Sequence, residues 1–403
     1  MLKSIQKPII YDSLFSLLTA FIVFDFKIAN LVLGGLILFF LIAHRLSFSL
    51  AKSTIKSPIF ISFCIFLFFV LINSLFYQTF SDKRNGMYFI IPIVWILGSA
   101  VQNWRWVMNT FIFSLIGIIV FGTYNQVSYF LTSDNYNMAT GSRVNDILIL
   151  ERPYLGFLCV IGILLSFHLY QKTKTKFYLF TTALFVIYPF VISARMSILS
   201  LILILIIYLF FNNKISFRTK AITTVGSATI IILLFALNPT LKSRLKVDSI
   251  NVNDIETVKN ADPRVIIWSC SYSIFTSDAY NLWIGINSKQ KLEDQLVDCY
   301  KQDKTNLDRR DYFVSEKFNT HNQFIDLLLL NGFVGLILFL IMLYYVLKTS
   351  ENTAIYLSLA LLFFMFVENI LARQMGIYLF ALVIVFVFVL SNIYPKRESL
   401  SAT

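Results

Sequence analysis

What this chain lacks narrows its chemistry before any residue is singled out. No stretch reads G-x-x-x-x-G-K-S/T, so the phosphate-cradling loop of an ATP-driven machine is missing. Neither H-E-x-x-H nor a Cys/His cluster occurs, which removes the usual zinc sites. No Asp-x-Asp pair is present to hold a metal-bound sugar nucleotide. Histidine is limited to 3 residues and cysteine to 4. No internal repeat of the transporter kind is evident. Charges deep within the apolar stretches are scarce, where a pump or an ion-coupled carrier needs them. No polar stretch is placed to form a soluble cytoplasmic domain.

What is abundant is apolar surface. Hydrophobic residues make up 57% of the 403, and the mean hydropathy is +0.73, more than a soluble fold of this length can hide. Crossing the ~30 Å hydrocarbon layer takes about 20 apolar residues. Twelve runs are candidates: 8–25, 28–43, 58–77, 87–102, 107–131, 150–170, 177–193, 196–211, 221–238, 321–347, 354–371 and 374–393. The first is short and contains Asp12, so a tight hairpin of the first two and an eleven-span count also fit. Lys3 and Lys7 ahead of that run resemble a signal peptide. No small-x-small cleavage site follows, and the second run comes at once, so a retained first helix is expected. The expected fold class is an all-α, polytopic membrane protein of about twelve spans. Residues 1–238 carry spans 1–9, residues 239–320 form one large loop, and residues 321–403 carry spans 10–12 and a tail.

Basic residues in short connections set the orientation. Arg45, Lys52 and Lys56, then Lys172, Lys174 and Lys176, then Lys214, Arg218 and Lys220 mark one side, joined by Lys396 and Arg397 in the tail. That side is read as cytoplasmic, which puts the 239–320 loop outside. The loop holds 12 Lys+Arg and 12 Asp+Glu, so the net charge of +12 is mostly a topology signal and not a sign of nucleic-acid binding. Cys64 and Cys159 fall in spans as packing residues. Cys270 and Cys299 both fall in the loop, where an oxidising compartment allows either a disulfide or two separate thiols.

Three helix starts face the loop side. Asp262-Pro263-Arg264 pairs an N-cap residue with proline at the first helical position. Trp268, Tyr272 and Phe275 follow at helical spacing, as in an amphipathic helix lying on the membrane or across the mouth of the bundle. Arg264 then sits in a first turn, where the helix dipole is already positive. A cation there is favourable when an anion is bound, because N–H groups and guanidinium converge on it. The alternatives are a solvated arginine or a pair with Asp262. The second start is the Ser193-Ala194-Arg195-Met196-Ser197 turn, whose arginine either snorkels to the interface or supplies a second cation for a diphosphate. The third is Thr320-His321-Asn322-Gln323, where Thr320 and Gln323 fit a capping box with His321 in the first turn. A helix N-terminus disfavours the charged imidazole, and a neutral histidine can accept a proton as a general base does. His44 and His168 lie at the opposite ends of spans, so His321 is the histidine of the loop side.

Other loop-side residues are candidates on weaker grounds. Glu368 and Arg373 bracket the turn between the last two spans and could pair with each other. Arg152, in Glu151-Arg152-Pro153, could contact a head group or anchor its helix. Gly332 and Gly335 are expected to permit close helix packing, and Gly285 to mark a turn in the loop.

These segments resemble the O-antigen ligase and O-antigen polymerase superfamily of bacterial envelope glycosyltransferases. Three pieces carry the resemblance: Arg264-Val-Ile-Ile-Trp268 after the Asp-Pro start and leading to the Gly285 turn, the His321-Asn322 segment with Gly332 and Gly335 downstream, and the Ser-x-Arg turn at Arg195. The layout of spans and one late loop agrees over nearly the whole length. The resemblance implies a GT-C-like fold in the bacterial inner membrane with a periplasmic active face. It implies a glycan donor on undecaprenyl diphosphate and, for a ligase, a lipid A–core hydroxyl as acceptor. For a polymerase the acceptor is another lipid-linked glycan. Neither metal, nucleotide nor other cofactor is implied. Arg195 and Arg264 match the diphosphate-holding positions, His321 matches the base, and Asn322 adjoins it. Arg373 with Glu368 resembles an auxiliary charged site of some ligases, whose acidic residue and spacing vary.

A diphosphate leaving group gathers negative charge as its glycosidic bond breaks, and fixed guanidinium groups at a low-dielectric boundary stabilise it. Direct attack by one hydroxyl inverts the anomeric centre. The compact size and single dominant loop favour the ligase over the polymerase. A non-enzymatic lipid-glycan transporter would need charges lining the middle of the bundle. A purely structural protein leaves the convergence of His321 and the arginines unexplained.

Overall fold

The computed structural model describes residues 2–24, 26–44, 52–79, 82–132, 147–211, 216–237, 263–302, 306–348 and 351–393. Among them the regular structure is helical throughout, so the described fold is all-α. In chain order the helices are α1 (Leu2–Phe24), α2 (Phe26–His44), α3 (Lys52–Ile55), α4 (Pro58–Phe76), α5 (Lys83–Met87) and α6 (Ile90–Ser99). Next come α7 (Trp104–Thr132), α8 (Arg152–Thr173), α9 (Lys176–Val191), α10 (Arg195–Phe211) and α11 (Phe217–Leu237). The loop region supplies α12 (Arg264–Phe275), α13 (Lys289–Tyr300) and α14 (Leu307–Glu316). Last are α15 (Gln323–Leu347), α16 (Asn352–Met365), a short 3-10 turn at Ile370–Ala372, and α17 (Gln374–Phe388).

Each of the twelve apolar runs contains helix, but among the described residues 5 helices are long and apolar enough to cross a membrane by length and composition: α4, α7, α8, α15 and the stretch Gln374–Ser391. Several others, including α9, α10 and α16, are apolar but shorter. The expected run 87–102 is broken into α5 and a ten-residue α6, and the run 354–371 stops at Met365 before a turn.

The core sits around α17, which is apolar on every side and buried from Gly376 through Phe388. A helix without a polar face needs neighbours all round. Trp95 of α6 meets Phe388 edge-on at 5.8 Å, and Trp104 of α7 meets Phe386 at 6.1 Å. Gly98 lets α6 approach, since a Cβ there would stand 2.7 Å from Val385.

The loop helices form a second apolar cluster against the start of α15. Ile267, Cys270 and Ile274 of α12 pack with Leu292 and Leu296 of α13, Phe313 of α14, and Leu329 and Leu330 of α15. Cys270 and Cys299 are joined in a disulfide, which resolves the alternatives left open by the sequence. This packing gives α12 a buried face besides the aromatic one expected from Trp268, Tyr272 and Phe275. The buried stripe runs through Ile267, Cys270 and Ile274, while Tyr272 is exposed and Trp268 is partly so. The disulfide and α13 select that stripe.

The glycines of α15 also depart from expectation. Gly332 is no packing residue within a continuous helix: its backbone (φ 64°, ψ −168°) breaks α15. Unbroken helix would bond the Phe333 and Val334 amides to the Leu329 and Leu330 carbonyls. Those amides instead donate to Leu282 O (2.9 Å) and Trp283 O (3.2 Å). The freed carbonyls accept from Ile286 N (2.9 Å) and Asn287 N (2.8 Å). Residues 282–287 are thus spliced into the helix ladder, and every displaced group is satisfied as a buried backbone requires. Gly285 (φ +70°) is more than a loop turn, because a Cβ there would stand 2.5 Å from the Leu330 carbonyl carbon. One on Gly332 would stand 2.3 Å from Trp283 O. Gly335 keeps the expected packing role, with Phe69 of α4 at 3.2 Å from its Cβ position.

Candidate active site

The start of α15 is built differently from the expected capping box. Asn322, not Thr320, is the N-cap: its Oδ1 accepts from Phe324 N (2.9 Å) and Ile325 N (3.1 Å). Asparagine caps as well as threonine does, and Thr320 is engaged elsewhere. Its hydroxyl donates to Asn322 O (3.1 Å) and accepts from Asn369 Nδ2 (2.8 Å). His321 therefore precedes the helix and does not sit in its first turn. Its φ of 43° is left-handed, and Asn319 Oδ1 accepts from its backbone N–H at 3.0 Å. Nδ1 of His321 lies 3.4 Å from Glu368 Oε2, with side-chain exposures of 22% and 9%.

The turn carrying Glu368 is locked to the same point. Asn322 Nδ2 donates to Phe366 O (3.0 Å), Leu371 N donates to Gln323 Oε1 (2.7 Å), and Asn369 Nδ2 also reaches Asp326 Oδ1 (3.1 Å). Asn322 is therefore a structural clamp between the two turns in this geometry.

Arg264, at the first position of α12, approaches the same turn, its Nη2 donating to Val367 O at 3.4 Å. One helical turn on, Trp268 Nε1 donates to Thr320 O at 3.0 Å. The Arg-x-x-x-Trp spacing thus docks α12 at two points, beside Glu368 and beside His321. Pro263 is the N-cap residue of α12, without a side-chain cap, and Asp262 lies outside the described residues.

Glu368 and Arg373 do not form the pair that the sequence allowed. Arg373 forms an ion pair with Glu151, the N-cap residue of α8, which makes no cap bond of its own. Burial weighs against the charge on Arg373, but the Glu151 carboxylate, together with Tyr154 and Glu368, holds the guanidinium above its ordinary pKa. Arg152 starts α8 beside that pair. Tyr154, one turn in, is buried edge-on against Phe364 of α16.

Arg195 opens α10 on an exposed corner after Ser193, whose φ of 56° makes the turn. Gly156 of α8 lets that corner close in: a Cβ there would meet Ser197 Oγ at 2.3 Å and Ala194 Cβ at 2.8 Å. The start of α10 is thereby packed on α8 at Gly156, through Ala194 and Ser197, and leaves Arg195 exposed. Among the described residues its guanidinium makes no hydrogen bond or ion pair.

The structure thus gathers Arg264, His321, Asn322 and Glu368 at one point and links Arg373 to Glu151 at the start of α8, while Arg195 stands exposed at the start of α10 and is not joined to that point. Sequence reading missed Glu151 as a partner, and it missed Asn369 and Trp268 as the residues that fix Thr320. Only Trp268 had a signal, its spacing from Arg264.

An all-helical bundle in which five of the described helices have membrane-crossing length, with Arg264, His321 and Glu368 gathered where the loop helices meet α15, fits an all-α membrane protein. Residues 180–340 match the family model described as O-antigen ligase, and the match supports the O-antigen ligase and polymerase superfamily for this chain. It takes in Arg195, Arg264, His321 and the Gly332 break, and leaves out Glu151, Arg152, Glu368 and Arg373. Members of that family are membrane glycosyltransferase-like enzymes. No curated protein matches the chain.

Proposed function

We propose that the chain is an O-antigen ligase of the bacterial inner membrane, working at the periplasmic face. The donor is a glycan on undecaprenyl diphosphate and the acceptor a sugar hydroxyl of lipid A–core. The observation that carries this reading is the turn that sets Glu368 at 3.4 Å from His321 Nδ1 and offers the adjacent Val367 carbonyl to Arg264. A proton acceptor and a cation are thereby held on one short segment.

With Nδ1 facing Glu368, Nε2 of His321 is the atom left for the acceptor hydroxyl. The hydroxyl oxygen attacks the anomeric carbon as its proton passes to Nε2. The bond from that carbon to the phosphate oxygen breaks, and its electron pair leaves with undecaprenyl diphosphate. Configuration at the anomeric carbon inverts. Glu368 orients the ring and stabilises the imidazolium, as a carboxylate does beside a catalytic histidine. Arg264 and Arg195 stabilise the growing charge on the diphosphate. The Glu151–Arg373 pair and Arg152 form the substrate-facing rim on the α8 side.

The discriminating experiment offers the purified protein undecaprenyl-diphosphate glycan, with lipid A–core in one arm and excess donor alone in the other. Glycosylated lipid A–core supports the ligase. Lengthening of the donor glycan alone makes the chain a polymerase, and absence of product in both arms from folded protein rejects glycan transfer.

A further inference from the structure

Between α12 and α13 the loop contains a short apolar segment, Leu282-Trp283-Ile284. Asn281 folds it into a tight tip. Its Oδ1 accepts from Trp283 N (3.0 Å) and Ile284 N (3.2 Å), and its carbonyl accepts from Gly285 N (2.8 Å). The tip is fixed in space by the four backbone bonds that splice it into α15 and by Asn73 Nδ2, which donates to Ile284 O at 2.9 Å. Yet its large side chains face outward, with Trp283 68% and Leu282 45% exposed. A rigidly held tip that leaves a tryptophan uncovered needs an occupant for that surface.

The neighbours identify it. Asn73 lies in the last turn of α4, a helix of membrane-crossing length. Phe68, Ile72, Leu75 and Phe76 are exposed along one side of α4 and lead up to that turn. Beyond the break, α15 exposes Ile337, Leu340 and Ile341 at helical spacing. The tip therefore stands at the last turn of α4 and at the break in α15, where the outward apolar stripes of both helices end. Tryptophan is the side chain suited to that level, with an apolar body and one N–H donor. The backbone agrees, because a helix break at a membrane edge persists only where protein satisfies its freed polar groups.

From these contacts we infer that the 282–284 tip is seated in the interfacial layer of the bilayer, in the leaflet on the loop side. The occupant is lipid, continuous with the lipid facing α4 and α15. The loop that carries Arg264 is then held by the membrane as well as by the Cys270–Cys299 disulfide and its own apolar cluster.

The test uses the full chain in nanodiscs whose phosphatidylcholine is brominated either near the glycerol end or near the bilayer centre. Fluorescence of the native protein minus that of Trp283→Phe isolates the Trp283 emission. Blue-shifted emission, quenched several-fold more by shallow than by central bromine and little by aqueous iodide, is expected. Water-like emission quenched by iodide overturns the inference. Emission shielded from iodide and both lipids also overturns it, since another copy of the chain then covers the tip. Trp283→Phe keeps an aromatic ring in place. A second comparison, Leu282→Cys with a polarity-sensitive label read in lipid and in detergent, decides the matter if the indole change perturbs folding. An apolar reading supports the inference and an aqueous one overturns it.

Discussion

Replacing Glu368 with glutamine isolates the charge beside His321. The variant keeps volume and shape at a nearly buried position and removes one unit of charge. At 3.4 Å a carboxylate and an imidazolium attract by about 5 kcal/mol at an effective dielectric of 20 and about 1 kcal/mol in bulk water. The imidazole is about one-fifth exposed, so the gain lies between those limits. In the proposed mechanism the imidazolium forms only as the acceptor proton is taken. The attraction therefore lowers the barrier rather than tightening substrate binding. Glu368→Gln should reduce kcat by roughly 10- to 10³-fold, with Glu368→Asp losing less. The assay is glycan transfer by purified protein at saturating donor, alongside binding of undecaprenyl diphosphate. Wild-type kcat in folded Glu368→Gln, or a loss confined to donor binding, would refute the pairing of roles.

Other expectations follow from the same contacts. Trp268→Phe keeps the ring but drops the bond to the Thr320 carbonyl, worth about 1 kcal/mol; transfer should fall severalfold while thermal stability changes little. Gly332→Ala forces a Cβ into the Trp283 backbone at a left-handed φ, and folded yield should collapse. Gly34→Ala, where nothing lies within 4 Å, should be silent in the same expression and thermal-melt measurement. Cys299→Ser opens a loop of sequence separation 29. By the chain-entropy argument it should cost about 3–4 kcal/mol of loop stability, read as faster hydrogen exchange in α12 and α13.

The apolar runs were legible because hydrophobic length is a local property, and each contains helix, though those at 87–102 and 354–371 are interrupted. The break in α15 was not. Leu-Asn-Gly-Phe-Val-Gly has the look of close-packing glycines, and what breaks the ladder is a segment some 45 residues upstream that supplies equivalent hydrogen bonds. The cap of α15 was misassigned for a related reason, because Thr320 fits a capping box locally while Asn369 claims its hydroxyl from another turn. Charge partners were exchanged in the same way: Glu368 and Arg373 are near in sequence, yet Glu368 faces His321 ahead of α15 and Arg373 pairs with Glu151 at the start of α8. Residue types and their common end of the bundle could be read from the chain, but the pairings depend on tertiary contacts.

The most direct test of the account follows glycan transfer from undecaprenyl diphosphate to lipid A–core by the purified chain in nanodiscs with EDTA. Wild type is compared with His321→Ala and Arg264→Ala at equal folded protein. The account predicts product from the wild type, and losses of about 10²-fold or more in both variants. Wild-type rates from His321→Ala, or no transfer by the folded native chain, would contradict it.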